Sequence, residues 1–277
     1  MNVSRRWYKG SGLVQTIVLA LLAVVFLIPI YIMVSAALKP SSQADAAYMW
    51  QLPKKLDFTG PKEAWKAVGP NFVNSLKLTI PATLISSFIG AMAGYCFSKL
   101  RFRGDTWVFA ALMLGMFIPY QVILVPLVRF LQWTHLFGSV TGLTVVHCIY
   151  GFPIVTLIFR NYFAGIPDEI REAGQVDGAS EMAMFFRLFV PLSLPGFVVA
   201  WIFQFTNIWN DFLFGITVVP NPAAQPVTVA LNNLSGNFSV SWNAVMSGAV
   251  IAALPTILLY LVLGRFFVKG LVAGSVK

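Results

Sequence analysis

Charge is what this chain has least of. Only 10% of its 277 residues are Asp, Glu, Lys or Arg, against about a quarter in a soluble domain that must keep its surface wet. Reactive side chains are equally scarce, with two histidines and two cysteines. Cys96 and Cys148 each sit inside an apolar run, form no Cys-x-x-Cys pair and share no metal-ligand spacing with His135 or His147. They read as small buried hydrophobes rather than as a metal or disulfide pair, and they say nothing about redox compartment. There is no Gly-x-x-x-x-Gly-Lys-Ser/Thr loop to cradle nucleotide phosphates, no His-Glu-x-x-His and no Gly-x-Ser-x-Gly. The chain is therefore not expected to be an enzyme or to bind a cofactor directly, and any energy it uses comes from another chain.

What is abundant is apolar surface: 58% of the residues are hydrophobic and the mean hydropathy is +0.77. Such a chain needs a solvent other than water, and a bilayer supplies one. A spanning helix needs about 20 mostly apolar residues, because each adds about 1.5 Å across a core about 30 Å thick. Six runs qualify, at 13–38, 72–100, 106–131, 138–163, 190–219 and 244–268. The first follows Arg5, Arg6 and Lys9 as a signal peptide would, but it exceeds the 7–15 residues of such a segment and reads as an uncleaved span. The net charge of +9 comes from short basic clusters flanking apolar runs, as lipid headgroups require, and not from a stripe suited to nucleic acid.

Lysine and arginine near span ends set the orientation. Arg5, Arg6 and Lys9 precede the first span, Lys99, Arg101 and Arg103 follow the second, Arg171 and Arg187 follow the fourth, and Arg265, Lys269 and Lys277 follow the sixth. All fall on one side, which puts both termini in the cytoplasm. Segments 132–138 and 220–243, free of charge, fall on the other. The loop with Lys39, Lys54, Lys55, Lys62 and Lys66 runs against this pattern and is outvoted. Trp107, Trp133 and Trp242 fall near the expected interfaces.

The spans are not plain lipid-facing rods. Pro81, Pro119, Pro126, Pro153, Pro195 and Pro255 interrupt them, and Gly90-x-x-x-Gly94 offers a close-packing seam. In the fifth span Gln204, Asn207 and Asp211 recur at i, i+3 and i+7, on one helical face. A carboxylate at mid-bilayer is costly and faces a cavity or a partner, so the three are candidates for a translocation path. Asp211 has an equal alternative, an outer interface where it simply meets water. His147 has no acidic neighbour in its own span and reads as a packing residue.

Half of the ten acidic residues fall in one stretch, 164–187: Asp168, Glu169, Glu172, Asp177 and Glu181. Two short helices are expected there, with Pro167 near the start of the first, acidic residues in its first turn, and Gly178 as the break. The string Ile-Pro-Asp-Glu-Ile-Arg-Glu-Ala-Gly-Gln-Val-Asp-Gly resembles the signature loop of ATP-binding-cassette (ABC) importer permeases. That loop reads Glu-Ala-Ala, three residues, Gly, nine residues, then Ile-x-Leu-Pro. Glu172-Ala173 and Gly178 match, and Leu188-Phe189-Val190-Pro191 fills the last slot; Gly174, Leu188 and Val190 are the departures. The runs at 94–105, 207–215 and 268–277 are similar to the maltose-type carbohydrate branch of the same family.

The resemblance implies an all-α integral membrane protein with six transmembrane helices in the type I ABC importer permease fold, multi-pass in a bacterial or archaeal inner membrane. It divides the chain into an N-terminal stub, first helix and extracytoplasmic loop (1–71), a five-helix permease core (72–268) with a coupling loop at 164–188, and a cytoplasmic tail (269–277). It implies docking of an ATPase through Arg171, Glu172, Ala173, Gly174, Asp177 and Gly178, with a weaker contact from the tail. The implied partners are a second homologous permease subunit, an ATPase dimer that carries ATP and magnesium, an extracytoplasmic sugar-binding protein, and membrane lipid. Residues 222–236 are similar to hexose permeases. An ion-coupled secondary transporter is the alternative; it needs paired ionisable groups deep in the spans, and among the residues only Asp211 and His147 are candidates.

Overall fold

The computed structural model describes residues 7–100, 102–236 and 241–275, and side chains within 12–264 of that set. Arg5, Arg6, Arg101 and Lys277, and the side chains of Lys9, Arg265, Lys269 and the rest of the tail, lie outside what is described. Among the described residues the regular structure is helical throughout. In chain order the helices are α1 (Trp7–Ala37), α2 (Thr59–Lys99), α3 (Asp105–Gly115), α4 (Tyr120–Trp133), α5 (Val140–Ala164), α6 (Glu169–Val176) and α7 (Glu181–Met184). A π-helical turn (Phe185–Phe189) leads on to α8 (Val190–Leu192), α9 (Leu194–Trp209), α10 (Leu213–Val218), α11 (Val227–Ser235) and α12 (Trp242–Ser275).

Four helices, over Gly12–Ala37, Thr59–Lys99, Val140–Ala164 and Trp242–Gly264, are long and apolar enough to cross a membrane as single rods. The third and fifth expected spans are not single rods. α3 and α4 meet at 97°, and the helical run Glu181–Leu192 meets α9 at 77°; counting each bent pair as one span raises the number to six. The first break has a local cause. Pro119 disfavours helical backbone at Ile118 and removes an N–H from the ladder, and α3 has already ended on Gly115. The fifth run, expected to extend over 190–219, ends at Trp209 and resumes as the separate helix α10. α2 begins well before the expected start at 72, where Asp57 accepts hydrogen bonds from the backbone N–H and hydroxyl of Thr59 (2.7 and 2.6 Å).

The chain forms two compact units, 1–68 with 231–252 and 69–230 with 253–277. In the first, α1 is an apolar rod whose side chains from Leu13 to Leu27 stand exposed, as suits a helix solvated by lipid. Its end is tied down: Ser247 donates to the Ala37 carbonyl (3.2 Å), Asn243 to the Lys39 carbonyl (3.2 Å), and the buried Lys39 ammonium to the Tyr48 carbonyl (2.7 Å).

The second unit holds two apolar cores. One gathers Leu78, Leu131, Leu143, Val146, Ile208 and Phe214 with their neighbours. The other is aromatic, built on Tyr95, Phe159, Phe163, Phe185, Phe189 and Phe197. The Gly90-x-x-x-Gly94 seam is the line along which α2 meets α5. A Cβ at Gly90 would lie 2.5 Å from Val155 Cγ1, and one at Gly94 would lie 2.6 Å from Phe159 Cβ and 2.7 Å from the Arg160 nitrogen. Only glycine admits that approach.

Candidate functional site

The acidic stretch folds into a compact helical elbow. Lys99, at the end of α2, places its ammonium 2.5 Å from both the Asp168 carboxylate and the Ile166 carbonyl, which pins the entry of the elbow. Glu169 and Glu172 occupy the first turn of α6, where the helix dipole favours negative charge. α6 then closes as a Schellman motif. Gly178 N–H donates to the Gln175 carbonyl (3.0 Å) and Ala179 N–H to the Gly174 carbonyl (2.9 Å), with Gly178 at φ +77°. Ser180 accepts from the Ala183 N–H and caps α7.

Inside the elbow, the Arg171 guanidinium pairs with the Glu181 carboxylate, and its Nε donates to Glu181 Oε2 at 3.3 Å. Tyr95, from α2, donates its hydroxyl to the same carboxylate (2.7 Å). The hydrogen bond and charge of Glu181 hold the Arg171 proton more tightly than usual, against the effect of burial. Gly174 is buried, and a Cβ there would stand 2.8 Å from Met184 Sδ and 3.2 Å from Leu188 Cδ1. Of the six docking candidates, Glu172, Ala173, Asp177 and Gly178 are therefore exposed, whereas Arg171 and Gly174 face inward and hold the two helices together. Val176, 88% exposed, and Met182, 54% exposed, stand beside the outward set.

The helical run past α7 does not stop at Pro191 but continues through it. A proline ring clashes with the carbonyl four residues earlier, here Arg187, and that carbonyl lies within the π turn Phe185–Phe189. The wider turn gives the ring room. Phe185 and Phe189 of this turn pack on Tyr95, with ring centroids 5.4 and 4.7 Å away.

A cavity of about 950 Å³ lies within the second unit, between residues of α3, α4, α5, α9 and α10. Gln204, Asn207 and Asp211 all line it. Their surroundings differ. Gln204 is buried, donates to Ser86 Oγ at 2.9 Å, and fills the space left open by Gly151. Asn207 is exposed. Asp211 has left the helix: its carboxylate accepts from the N–H groups of Phe214 (3.3 Å) and Gly215 (3.0 Å), and so caps α10, while its carbonyl accepts from the Thr228 hydroxyl (2.6 Å). Oδ2 of Asp211 stands 3.6 Å from Nε2 of His147. His147 has no acidic neighbour in its own span, as the sequence indicates, but α5 brings it up to Asp211, 64 positions away. Tyr120, Tyr150 and Phe214 form an aromatic group beside this pair, with centroids 5.3–5.8 Å apart. None of the three was legible as a site residue. An Asp just ahead of a short apolar run is a capping signal that the expected continuous span hid.

The family model for the binding-protein-dependent transport system inner membrane component matches residues 86–272. The chain belongs to that family. The match covers both the elbow and the cavity. The importer permease is 44% identical over 186 residues to a probable ABC transporter permease protein of Pyrococcus horikoshii, covering 67% of this chain and 68% of that one. It is 34% identical to the xylose/arabinose import permease protein of Haloferax volcanii over 89% and 87% of the two chains. In fold it is similar to a chain of a bacterial ABC transporter involved in the import of the acidic polysaccharide alginate, with a TM-score of 0.82 at 20% identity, covering 96% of this chain and all of that one. The permease is an inner-membrane component with several long apolar helices.

Proposed function

We propose that this permease conducts a sugar into the cell and receives its driving force from a separate ATPase that grips the elbow 164–188. The observation that carries the reading is the elbow itself. Two short helices are locked to each other by Arg171–Glu181 and by the Gly174 seam, and they present Glu172, Val176 and Asp177 outward. A nucleotide-dependent motion passes through a rigid docked element, not a floppy loop. Glu172 then meets a basic group of the ATPase, and Ala173 and Gly178 border the contact. The sugar reading draws on relatives named for xylose/arabinose and for glucose import.

On this reading ATP and magnesium reside on the ATPase, a binding protein delivers sugar from outside, and a second permease chain completes the path. Six spans with both termini in the cytoplasm, counting each bent pair as one crossing, put the elbow on the ATPase side. Gln204, Asn207 and Asp211 line this chain's half of the path, with Gln204 also holding α9 to α2.

Glu172→Lys and Gly178→Arg, introduced into the assembled transporter, are expected to abolish ATP-driven sugar uptake and to weaken co-purification of the ATPase. Normal uptake with both variants overturns the docking assignment. The proximity of His147 and Asp211 is what an ion-coupled carrier would use. Uptake that survives loss of the ATPase and collapses with a protonophore would favour that second reading.

A further inference from the structure

We infer that the molecule passing this chain is read in the α3–α5–α9–α10 cavity as a neutral, hydroxyl-rich ring, and that Asp211 selects it and turns away sugars bearing a carboxylate or phosphate. The inference rests on the importer reading and sharpens it to a substrate class.

The first ground is charge. Among the described residues, the cavity is lined by one carboxylate, Asp211, and by no lysine or arginine. An anionic sugar entering it meets a like charge and finds no cation on this chain's side of the path, and a confined apolar wall strengthens that repulsion relative to water. Sites built for carboxylates or phosphates present arginine or lysine donors.

The second ground is hydrogen-bonding capacity. An ionised carboxylate accepts at about four lone-pair positions. Two on Asp211 are filled by the N–H groups of Phe214 and Gly215, and its side chain keeps 12% of its surface open. The remaining positions suit hydroxyl donors. His147 supplies an independent pointer: the residue is 7% exposed, and its Nε2 is buried with no hydrogen-bond partner. Oδ2 of Asp211, at 3.6 Å, is beyond hydrogen-bonding distance. A buried polar atom left without a partner calls for an explanation. A single hydroxyl about 2.8 Å from both atoms, donating to Oδ2 and paired with Nε2, provides one once the ring tilts slightly toward the cavity.

The third ground is the wall beside this pair. Tyr120 and Tyr150 lean on Phe214, and Tyr150 and Phe212 are each more than a third exposed where they line the cavity. A pyranose or furanose ring has an apolar C–H face and a polar rim. A flat aromatic surface next to a hydroxyl acceptor matches both. The volume, about 950 Å³, leaves room for such a ring.

The test uses the purified complete transporter in detergent without its binding protein, so that the cavity and not the delivery protein does the choosing. Saturation-transfer NMR is recorded with glucose, xylose and maltose, and with glucuronate and glucose 6-phosphate as anionic counterparts. At least one neutral sugar should bind, with glucuronate and glucose 6-phosphate at least about tenfold weaker. Asp211→Asn should narrow that gap by admitting glucuronate. Tyr150→Ala should weaken the neutral sugar about tenfold, and Tyr150→Phe should restore it, because the ring and not the hydroxyl supplies the wall. The inference is overturned if none of the neutral sugars binds, if wild-type protein binds glucuronate as well as glucose, or if the preference is the same in Asp211→Asn. ATP-driven uptake of the same sugars in proteoliposomes with the binding protein separates the two claims. No uptake removes the importer reading, whereas uptake with a preference indifferent to Asp211 removes only this inference.

Discussion

Replacing Gly178 by alanine should loosen the elbow through the backbone alone. At φ +77° the residue lies in the left-handed region, and a Cβ built there meets nothing within 4 Å. Sterics with the rest of the protein therefore contribute nothing, and the intrinsic left-handed penalty for an L-residue, roughly 1–2 kcal/mol, remains. Two hydrogen bonds depend on that conformation, Gly178 N–H to Gln175 and Ala179 N–H to Gly174. Their opening should become about 5- to 30-fold more frequent, measured as faster amide exchange over 174–180 in the assembled transporter. Gly178→Asn should lie between alanine and wild type, because asparagine tolerates this region better. Gly174→Ala is the complementary perturbation. There the backbone is helical and alanine gains about 1 kcal/mol of propensity, but its methyl would stand 2.8 Å from Met184 Sδ and 3.2 Å from Leu188 Cδ1. Overpacking of about 1–3 kcal/mol leaves a net cost of about 0–2 kcal/mol, below that of a larger residue such as valine. The reasoning fails if Gly178→Ala exchanges like wild type, or if Gly178→Asn opens more often than Gly178→Ala.

Gly94→Ala should lower the thermal midpoint, because the neighbour at 2.7 Å is the Arg160 backbone and not a side chain that can swing away; overpacking of about 1–3 kcal/mol, less about 1 kcal/mol of helix propensity, leaves a net cost of about 0–2 kcal/mol. Gly115→Ala, at a helical position with nothing within 4 Å, should leave the midpoint unchanged or raise it by the equivalent of up to about 1 kcal/mol, and equal stability of the two variants would discredit the α2–α5 seam. A double-mutant cycle between Arg171→Met and Glu181→Gln should give a coupling of about 0.5–1 kcal/mol, kept small by the 25% and 39% exposure of the two side chains. Denaturant unfolding of the purified protein measures it, and additive effects would mean that the pair does not lock the elbow.

The elbow was legible because its signals are local. Acidic residues in a first turn, a glycine at a helix end and a fixed spacing to Pro191 are all properties of a short window. Its interior was not, since nothing in the window says that Arg171 reaches Glu181, or that Tyr95, 86 positions before Glu181, joins them from α2. The cavity divides the same way. Helical period puts Gln204 and Asn207 on one stretch of α9, whereas Asp211 lines the same space from beyond the helix end, a position the i, i+3, i+7 pattern did not foresee. The approach of His147 to Asp211 and the gathering of Tyr120, Tyr150 and Phe214 depend on how α4, α5 and α10 pack, which no periodicity encodes. Long apolar runs located the spans, yet the same runs concealed the breaks at 116–119 and 210–212. A hydropathy pattern registers that a proline or an asparagine is present, but not whether the helix bends or ends there.

The angle between the helical run Glu181–Leu192 and α9 has a mechanical meaning. A bent arm with a stiff corner works as a bell crank: a push applied along one arm leaves along the other, turned by the angle between them. Here the corner is braced by Phe185 and Phe189 against Tyr95, and the angle is 77°. A thrust along the elbow's second helix would therefore reach α9 nearly crosswise, as a sideways swing of the face that carries Asn207 toward or away from the cavity. Stiffness at Phe189, close to the corner where the first arm ends at Leu192, would then set how much of the stroke arrives.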